Sequence, residues 1–196
     1  MTFIAQNSAA ASVAENGSET KTDSKNTLEN KKEFGIKLRS NHFSETPYGH
    51  VPILDVSGKI LAESHAIERF LARKFKLMGE NEWEAAKIDE IICNLEEVWL
   101  KVHPWIHNEN STKQDEAFVN ETITPFLQRY EQFLLDSNSS YFVGNKISLA
   151  GLAVFNILQY FHELTPRYPK QAEFTVQIGQ MPRIRTWINN RPDTKY

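Results

Sequence analysis

The chain has 196 residues, of which 40% are hydrophobic, and a formal net charge of −3. That is enough apolar material for one globular unit or for two small domains sharing an interface, and no long basic run marks a nucleic-acid or anionic membrane surface. The single cysteine, Cys93, excludes an intrachain disulfide; no apolar run approaches the roughly 20 residues of a spanning helix, and the N-terminus lacks the basic and apolar regions of a secretory signal.

Residues 1–33 are rich in Ala, Ser, Thr, Asn, Glu and Lys, with almost no large apolar side chain after Ile4. Burial there cannot offset an ordering entropy of ~1–2 kcal/mol per residue, so a disordered tail is expected. Phe34 to Arg39 alternates weakly and reads as a strand. Pro47-Tyr48-Gly49 forms a turn before the apolar run Val51–Val56. Ser57-Gly58 is a two-residue turn signal, and Ile60–Ala62 follows, which predicts a β-hairpin. Glu63-Ser64 opens a helix with Ser64 as its N-cap, carrying Ile67, Phe70, Leu71 and Phe75 on one face, and Gly79 ends it.

Asn81 caps the next helix, which runs from Glu82 to about His107 with Trp83, Ile88, Ile91, Ile92, Leu95, Val98, Trp99 and Val102 as its apolar set. Pro104 is expected to kink or end it, and Cys93 is expected to be an inert core thiol beside the apolar face. Thr112 to Leu135 predicts a further helix, bent at Pro125, with Phe118, Ile123, Phe126, Leu127, Tyr130, Phe133 and Leu134 on one face. Ser148 is a good N-cap for a buried helix through Leu149, Leu152, Phe155, Ile157, Leu158 and Phe161. Helices over about 170–179 and 182–190 complete the chain. Of four Asn-x-Ser/Thr triplets, at Asn16, Asn110, Asn120 and Asn138, none is read as a glycosylation site without a secretory signal. His103 and His107 stand four apart, a common metal spacing, but the intervening Pro104 and the lack of a third ligand leave no metal site assigned.

The pattern Pro-aromatic-Gly-x-Val-Pro-x-Leu, Asp-x-x-Gly and Ala-Glu-Ser-x-Ala-Ile-x-Arg-Phe-Leu-Ala-Arg, over Pro47 to Arg73, closely resembles cytosolic glutathione transferases. It resembles most the sigma class, which includes haematopoietic prostaglandin D synthase and many invertebrate enzymes, and the likeness extends over about 34–196. The resemblance implies an α+β chain: a thioredoxin-like N-terminal domain at 34–79, incomplete because the first strand and helix of its β-α-β start are not evident, and an all-α C-terminal domain of about five helices at 81–196. In that family Ser148 would begin a capping box whose acidic member is here replaced by Gly151.

The resemblance also implies a glutathione site. Pro52 would follow a cis peptide bond and present the backbone of Val51 to the cysteinyl part of the tripeptide, as an added strand. The Ser64 hydroxyl and N–H would hold the γ-glutamyl carboxylate at the helix N-terminus, and Glu63 would accept from the α-amino group. His50 and Arg39 stand at positions that contact the glycyl end, where Phe43 replaces a lysine. Glu97, more than its neighbour Glu96, matches an acidic residue that one subunit of a homodimer sends to the glutamyl site of the other. Glutathione as co-substrate, small hydrophobic electrophiles, a prostaglandin-isomerase variant of the chemistry and a cytoplasmic homodimer are what the family implies, with no nucleic-acid or membrane partner.

The catalytic tyrosine of the family, which donates a hydrogen bond to the glutathione sulfur, has no counterpart: no tyrosine precedes Tyr48, and Tyr48 fills the aromatic slot of the turn. Ser8 and Ser12 lie early enough to compare with a catalytic serine, but no apolar strand surrounds them. No catalytic residue is therefore assigned. The alternatives are an active transferase, a catalytically impaired glutathione-binding or structural protein akin to S-crystallins, and a chain with an alternative or mis-assigned first exon.

Overall fold

The structure, a computed structural model, describes residues 35–37, 46–107 and 116–191. The expected tail, the early serines, Arg39, Phe43, Asn16 and Asn110 lie outside these residues. The chain divides into two compact units, residues 1–77 and 78–196.

The first unit holds a three-stranded sheet: β1 (Gly35–Lys37), β2 (Ile53–Val56) and β3 (Lys59–Ala62), in that order. Both pairings are antiparallel; Ile53 faces Ala62 and Gly35 faces Asp55. Strand β1 falls within the expected Phe34–Arg39 segment. It runs antiparallel to β2, whereas the second strand of a β-α-β unit would run parallel to its neighbour, and no parallel pairing occurs among the described residues. The hairpin turn has positive φ at both central residues, Ser57 (53°) and Gly58 (85°), the geometry that matches strand twist. The Asp55 carboxylate accepts from Gly58 N–H at 2.7 Å and pins it.

Helix α1 (Ser64–Lys74) packs on β2 and β3, where Ile67 and Leu71 bury against Leu54, with Val56, Leu61 and Phe75 around them. Its inward stripe is Ser64, Ile67, Glu68, Leu71 and Ala72. Phe70, expected on this face, lies about a third of a turn away and is exposed. Gly79 does not end the helix. Phe75 is the C-cap, Lys76 takes φ +56°, and Leu77 N–H returns to the Ala72 carbonyl at 2.7 Å while Lys76 N–H reaches Arg73. This is the Schellman arrangement, with buried Leu77 as its apolar contact and lysine where glycine is usual. Gly79 (φ +79°) serves the next helix, since a Cβ there would come within 2.5 Å of Glu84 Cβ.

The second unit is helical. Helix α2 (Glu82–Ile106) starts at Asn81, whose side chain accepts from Glu84 N–H at 2.9 Å. Glu84 in turn accepts from the N–H of Glu80, the residue before the cap, at 2.8 Å, so one first-turn donor and the chain entering the helix are both tied. Ile88, Ile91, Ile92, Leu95, Trp99 and Val102 form its buried stripe. Two expectations fail here for the same reason of phase. Trp83 lies off the stripe and is 75% exposed, and Cys93, about 100° around the helix from Ile92, turns away from the stripe and is exposed.

A one-turn helix α3 (Glu116–Phe118), a π-helical turn (Val119–Ile123) and helix α4 (Thr124–Asp136) run on from one another. The bend expected inside the helix at Pro125 is taken up by the π turn in front of it. Pro125 has no N–H and its ring crowds the preceding turn, so the widened turn, in which Thr124 N–H reaches back to Val119, leaves Pro125 in the first turn of α4. Helix α5 (Leu149–Gln159) begins at Ser148, whose Oγ accepts from Gly151 N–H. The space an acidic side chain would need at 151 is filled: a Cβ there would lie 3.0 Å from Ile147 Cδ1 and 3.6 Å from Phe174 Cζ. After a 3₁₀ turn (Thr165–Arg167), α6 (Pro169–Gly179) and α7 (Pro182–Asn190) follow.

Helix α2 packs on α5, α4 on α6, α5 on α6 and α6 on α7. Polar ties set the register of these contacts. Glu131, 9% exposed on α4, accepts from the N–H groups of Lys170 at 2.8 Å and Gln171 at 2.9 Å. It thus caps α6 from another helix, where the N-terminal dipole favours a carboxylate. The fully buried Gln171 donates back to the Leu127 carbonyl. Tyr130 Oη donates to Asn94 on α2, and burial pushes its phenol above the usual range. The α4–α5 loop is fastened to the start of α2 by Lys146–Glu80 at 2.9 Å, which holds the Glu80 carboxyl below its ordinary value through that hydrogen bond and charge.

Glu131→Ala leaves two helix-terminal N–H groups unpaired, that of Gln171 buried and that of Lys170 partly so, and should lower unfolding free energy by about 2–4 kcal/mol in urea titrations. Lys76→Gly removes the left-handed penalty of a side chain at that position, and the same measurement should show a gain of about 0.5–1 kcal/mol.

Candidate functional site

The site is built by the register of the hairpin. Because Ile53 is paired with Ala62, the residues leaving that end of the two strands are Pro52 on one side and Glu63 on the other. Val51-Pro52 and Glu63-Ser64, eleven residues apart in the chain, therefore come out of the sheet next to each other. The Val51–Pro52 peptide bond is cis. In front of it, Gly49 N–H bonds the Thr46 carbonyl at 3.3 Å, closing the Pro47-Tyr48 turn, so that Tyr48 and His50 are both exposed. Tyr48 is thus an outward residue of the turn.

Glu63 has φ 67° and ψ 118°, a backbone conformation that a residue with a side chain seldom takes, and its side chain is exposed. It occupies the N-cap position of α1, and its carboxylate makes no capping bond. Ser64, expected to be that cap, is instead the first helical residue: the unusual turn at Glu63 has already delivered the chain into the helix, with Ile67 N–H bonded to the Glu63 carbonyl at 2.9 Å. Ser64 is 7% exposed, and among the described residues its hydroxyl makes no hydrogen bond. No acidic residue occupies the first turn of α1, so no side-chain carboxylate of that turn offsets the positive end of the helix dipole. The combination is a helix N-terminus with a hydroxyl, a neighbouring carboxylate and the Val51-Pro52 backbone that leads into β2, chemistry suited to a zwitterionic peptide-like ligand.

Behind this edge lies a pair that the sequence reading passed over. Glu68, 3% exposed, accepts a contact from His65 Nδ1 at 2.8 Å, and its Oε1 has no hydrogen-bond partner among the described residues. The signal was present in the helical phase: Glu68 lies four residues after Ser64 on the inward stripe.

Arg39 and Glu97 are the remaining expected site residues. Arg39 lies outside the described residues. Glu97 sits in the second unit, exposed on α2, beside the half-buried Glu96. The far end of α2 carries a separate cluster. Trp99 meets His103 edge-on at 5.4 Å between ring centroids and Tyr160 at 5.3 Å, and His103 and His107 are 4.4 Å apart. Burial draws the His103 imidazole below its ordinary value, with the charge of His107 adding to it. Trp105 stacks on Phe118 at 5.1 Å. Among the described residues no group of three or more His, Cys, Asp or Glu is arranged around a metal site.

Comparison with known proteins follows the same lines. Residues 96–191 match the glutathione S-transferase C-terminal domain family. A glutathione S-transferase of Plasmodium yoelii yoelii is 34% identical over 157 residues, covering 78% of this chain and 73% of the relative. The hematopoietic prostaglandin D synthase of Gallus gallus is 31% identical over 156 residues, covering 76% of each. The solved sigma-class enzyme of Fasciola hepatica superposes with a TM-score of 0.71 at 28% identity, covering 79% of this chain and 80% of that one. Nu- and Pi-class structures match as well, so the comparisons single out no class, and the expected sigma assignment is narrower than they support. With this sequence likeness across both units and the matching fold, the chain belongs to the glutathione S-transferase family.

Proposed function

We propose that the chain binds glutathione at the open end of the β2–β3 hairpin and acts as a sigma-like glutathione S-transferase on small hydrophobic electrophiles. The observation that carries this reading is the meeting of Val51-Pro52 with Glu63-Ser64 at a helix N-terminus that no acidic first-turn residue neutralises. Val51 would pair through its backbone N–H and C=O with the cysteinyl part of the ligand, Ser64 would hold the glutamyl carboxylate through hydroxyl and N–H, and Glu63 would take the ammonium group. His50, exposed before the turn ends, would contact the glycyl end with Arg39. Glu97 would come from the second copy of a homodimer. The prostaglandin D synthase among the relatives supports an isomerase variant of the same chemistry. A cytoplasmic setting agrees with the lone cysteine, and no helix among the described residues is long and apolar enough to cross a membrane.

A second reading rests on a specific observation. No tyrosine precedes Tyr48, and Tyr48 is 65% exposed in the turn, so no assigned residue donates to the ligand sulfur. The chain would then be a glutathione-binding protein with little transferase activity. Retention on glutathione resin together with turnover of a generic aromatic electrophile supports the first reading; retention without turnover supports the second.

In either case Ser64→Ala should weaken glutathione binding by about tenfold or more, the value of a hydrogen bond to a charged group, as read by competitive elution or calorimetry. Glu63→Gly relaxes the unusual backbone and should raise unfolding free energy by about 1–2 kcal/mol while weakening glutathione binding. Binding untouched by both substitutions would remove this site from consideration. Sedimentation equilibrium at micromolar concentration should return the mass of a dimer; a monomer would count against the role given to Glu97.

A further inference from the structure

We propose that His103 and His107 form a two-histidine chelate for a borderline divalent transition ion of the Zn²⁺ or Cu²⁺ kind, at the C-terminal end of α2, from residues that the proposed glutathione site does not use. The sequence offers no third protein ligand, so water would complete the shell of the ion; its other objection was Pro104, which lies between the two and could have turned them apart. The structure removes it: α2 continues through Pro104 to Ile106, and His107 N–H still reaches the His103 carbonyl at 3.2 Å. The two residues therefore stay one helical turn apart on one face, with ring centroids 4.4 Å apart. A pair four residues apart on a helix is the spacing by which two imidazoles reach one ion, each at about 2.0–2.1 Å from a ring nitrogen.

Three features favour the pair as ligands. Among the described residues neither imidazole makes a side-chain hydrogen bond, so the ring nitrogens are not committed elsewhere, whereas His65 is engaged with Glu68 and His162 with the Gln159 carbonyl. His103 is held in place by the edge of Trp99, itself packed on Tyr160, which lowers the ordering needed to bind. His107 is exposed, so it can rotate to aim its lone pair, and water can fill the other positions of the ion. Imidazole nitrogen donors, with no thiolate or carboxylate grouped with them among the described residues, select this class of ion over Mg²⁺ or Ca²⁺. Cys93 is ten residues back along the helix, about 15 Å, too far to share the ion.

Calorimetric titration of the full chain with zinc sulfate alone, at neutral pH, tests the assignment. The expected result is one ion per chain, bound at least about tenfold more weakly after either His103→Asn or His107→Asn, and unchanged in Cys93→Ser and His162→Asn. Thermal melting should rise with zinc in the unsubstituted chain and not in His107→Asn, a surface change that leaves the fold in place. Absence of binding, binding that survives both histidine substitutions, loss with one of the two substitutions and no change with the other, or loss only with Cys93→Ser would each overturn the chelate.

Discussion

In the antiparallel hairpin the pairing of Ile53 with Ala62 decides which groups meet at the edge of the first unit. A slip of one residue would turn every side chain of the strand to the opposite face and move Glu63 away from Pro52. The register is held from both ends. At one end the Ser57-Gly58 turn, with Asp55 bonded to Gly58 N–H, allows only this loop length. At the other, Leu54 on β2 must face Ile67 and Leu71 of α1. The same contact that forms the core therefore fixes where the helix begins, and Glu63 takes its rare backbone angles because a strand must become a helix within one residue.

The second unit solves a different problem, the termini of packed helices. Orphan N–H groups at the start of α6 lie against another helix, and the carboxylate that meets them comes from Glu131 on α4. Gln171 and Tyr130 return hydrogen bonds across neighbouring interfaces. Each such group is expensive to bury alone and specific when paired, so these ties select one packing among the several that apolar stripes alone would permit. Gly151 belongs to the same logic. Its missing side chain forgoes reciprocal capping, and Ile147 and Phe174 occupy the space.

Elements with a strong period were legible in the sequence. The hairpin, α1, α2 and α5 follow from turn residues, caps and apolar spacing. What was not legible depended on phase or on partners from elsewhere. Phe70 and Glu68 differ by two positions, and only the packing on the sheet decides that the carboxylate goes inward and the ring outward. Cys93 sits beside Ile92 in sequence, yet about 100° around the helix from it and outside the buried stripe. Ser64 has the composition of an N-cap, but the strand-to-helix turn at Glu63 claims that place. Glu131 as a cap for α6 lies 39 residues from its partner Lys170, beyond any local rule. Of the candidate site, the residue types and their motif were visible; their meeting required the register.

Holding a tripeptide and activating its sulfur are separate physical demands. In the proposed site the first would rest on backbone groups, a helix N-terminus and one hydroxyl, all carried by the stretch from His50 to Ser64. The second needs a donor placed at the thiol. Without one, a bound glutathione thiol keeps an ordinary pKa of about 8.5 and is only a few per cent thiolate at neutral pH. Placement beside an electrophile would still raise the rate, because orientation is independent of thiolate fraction. A chain with the proposed half-site alone would therefore retain affinity and lose most of the advantage at the sulfur, and its rate would climb with pH as the free thiol ionises, where a site with a donor would already be saturated in thiolate at neutral pH.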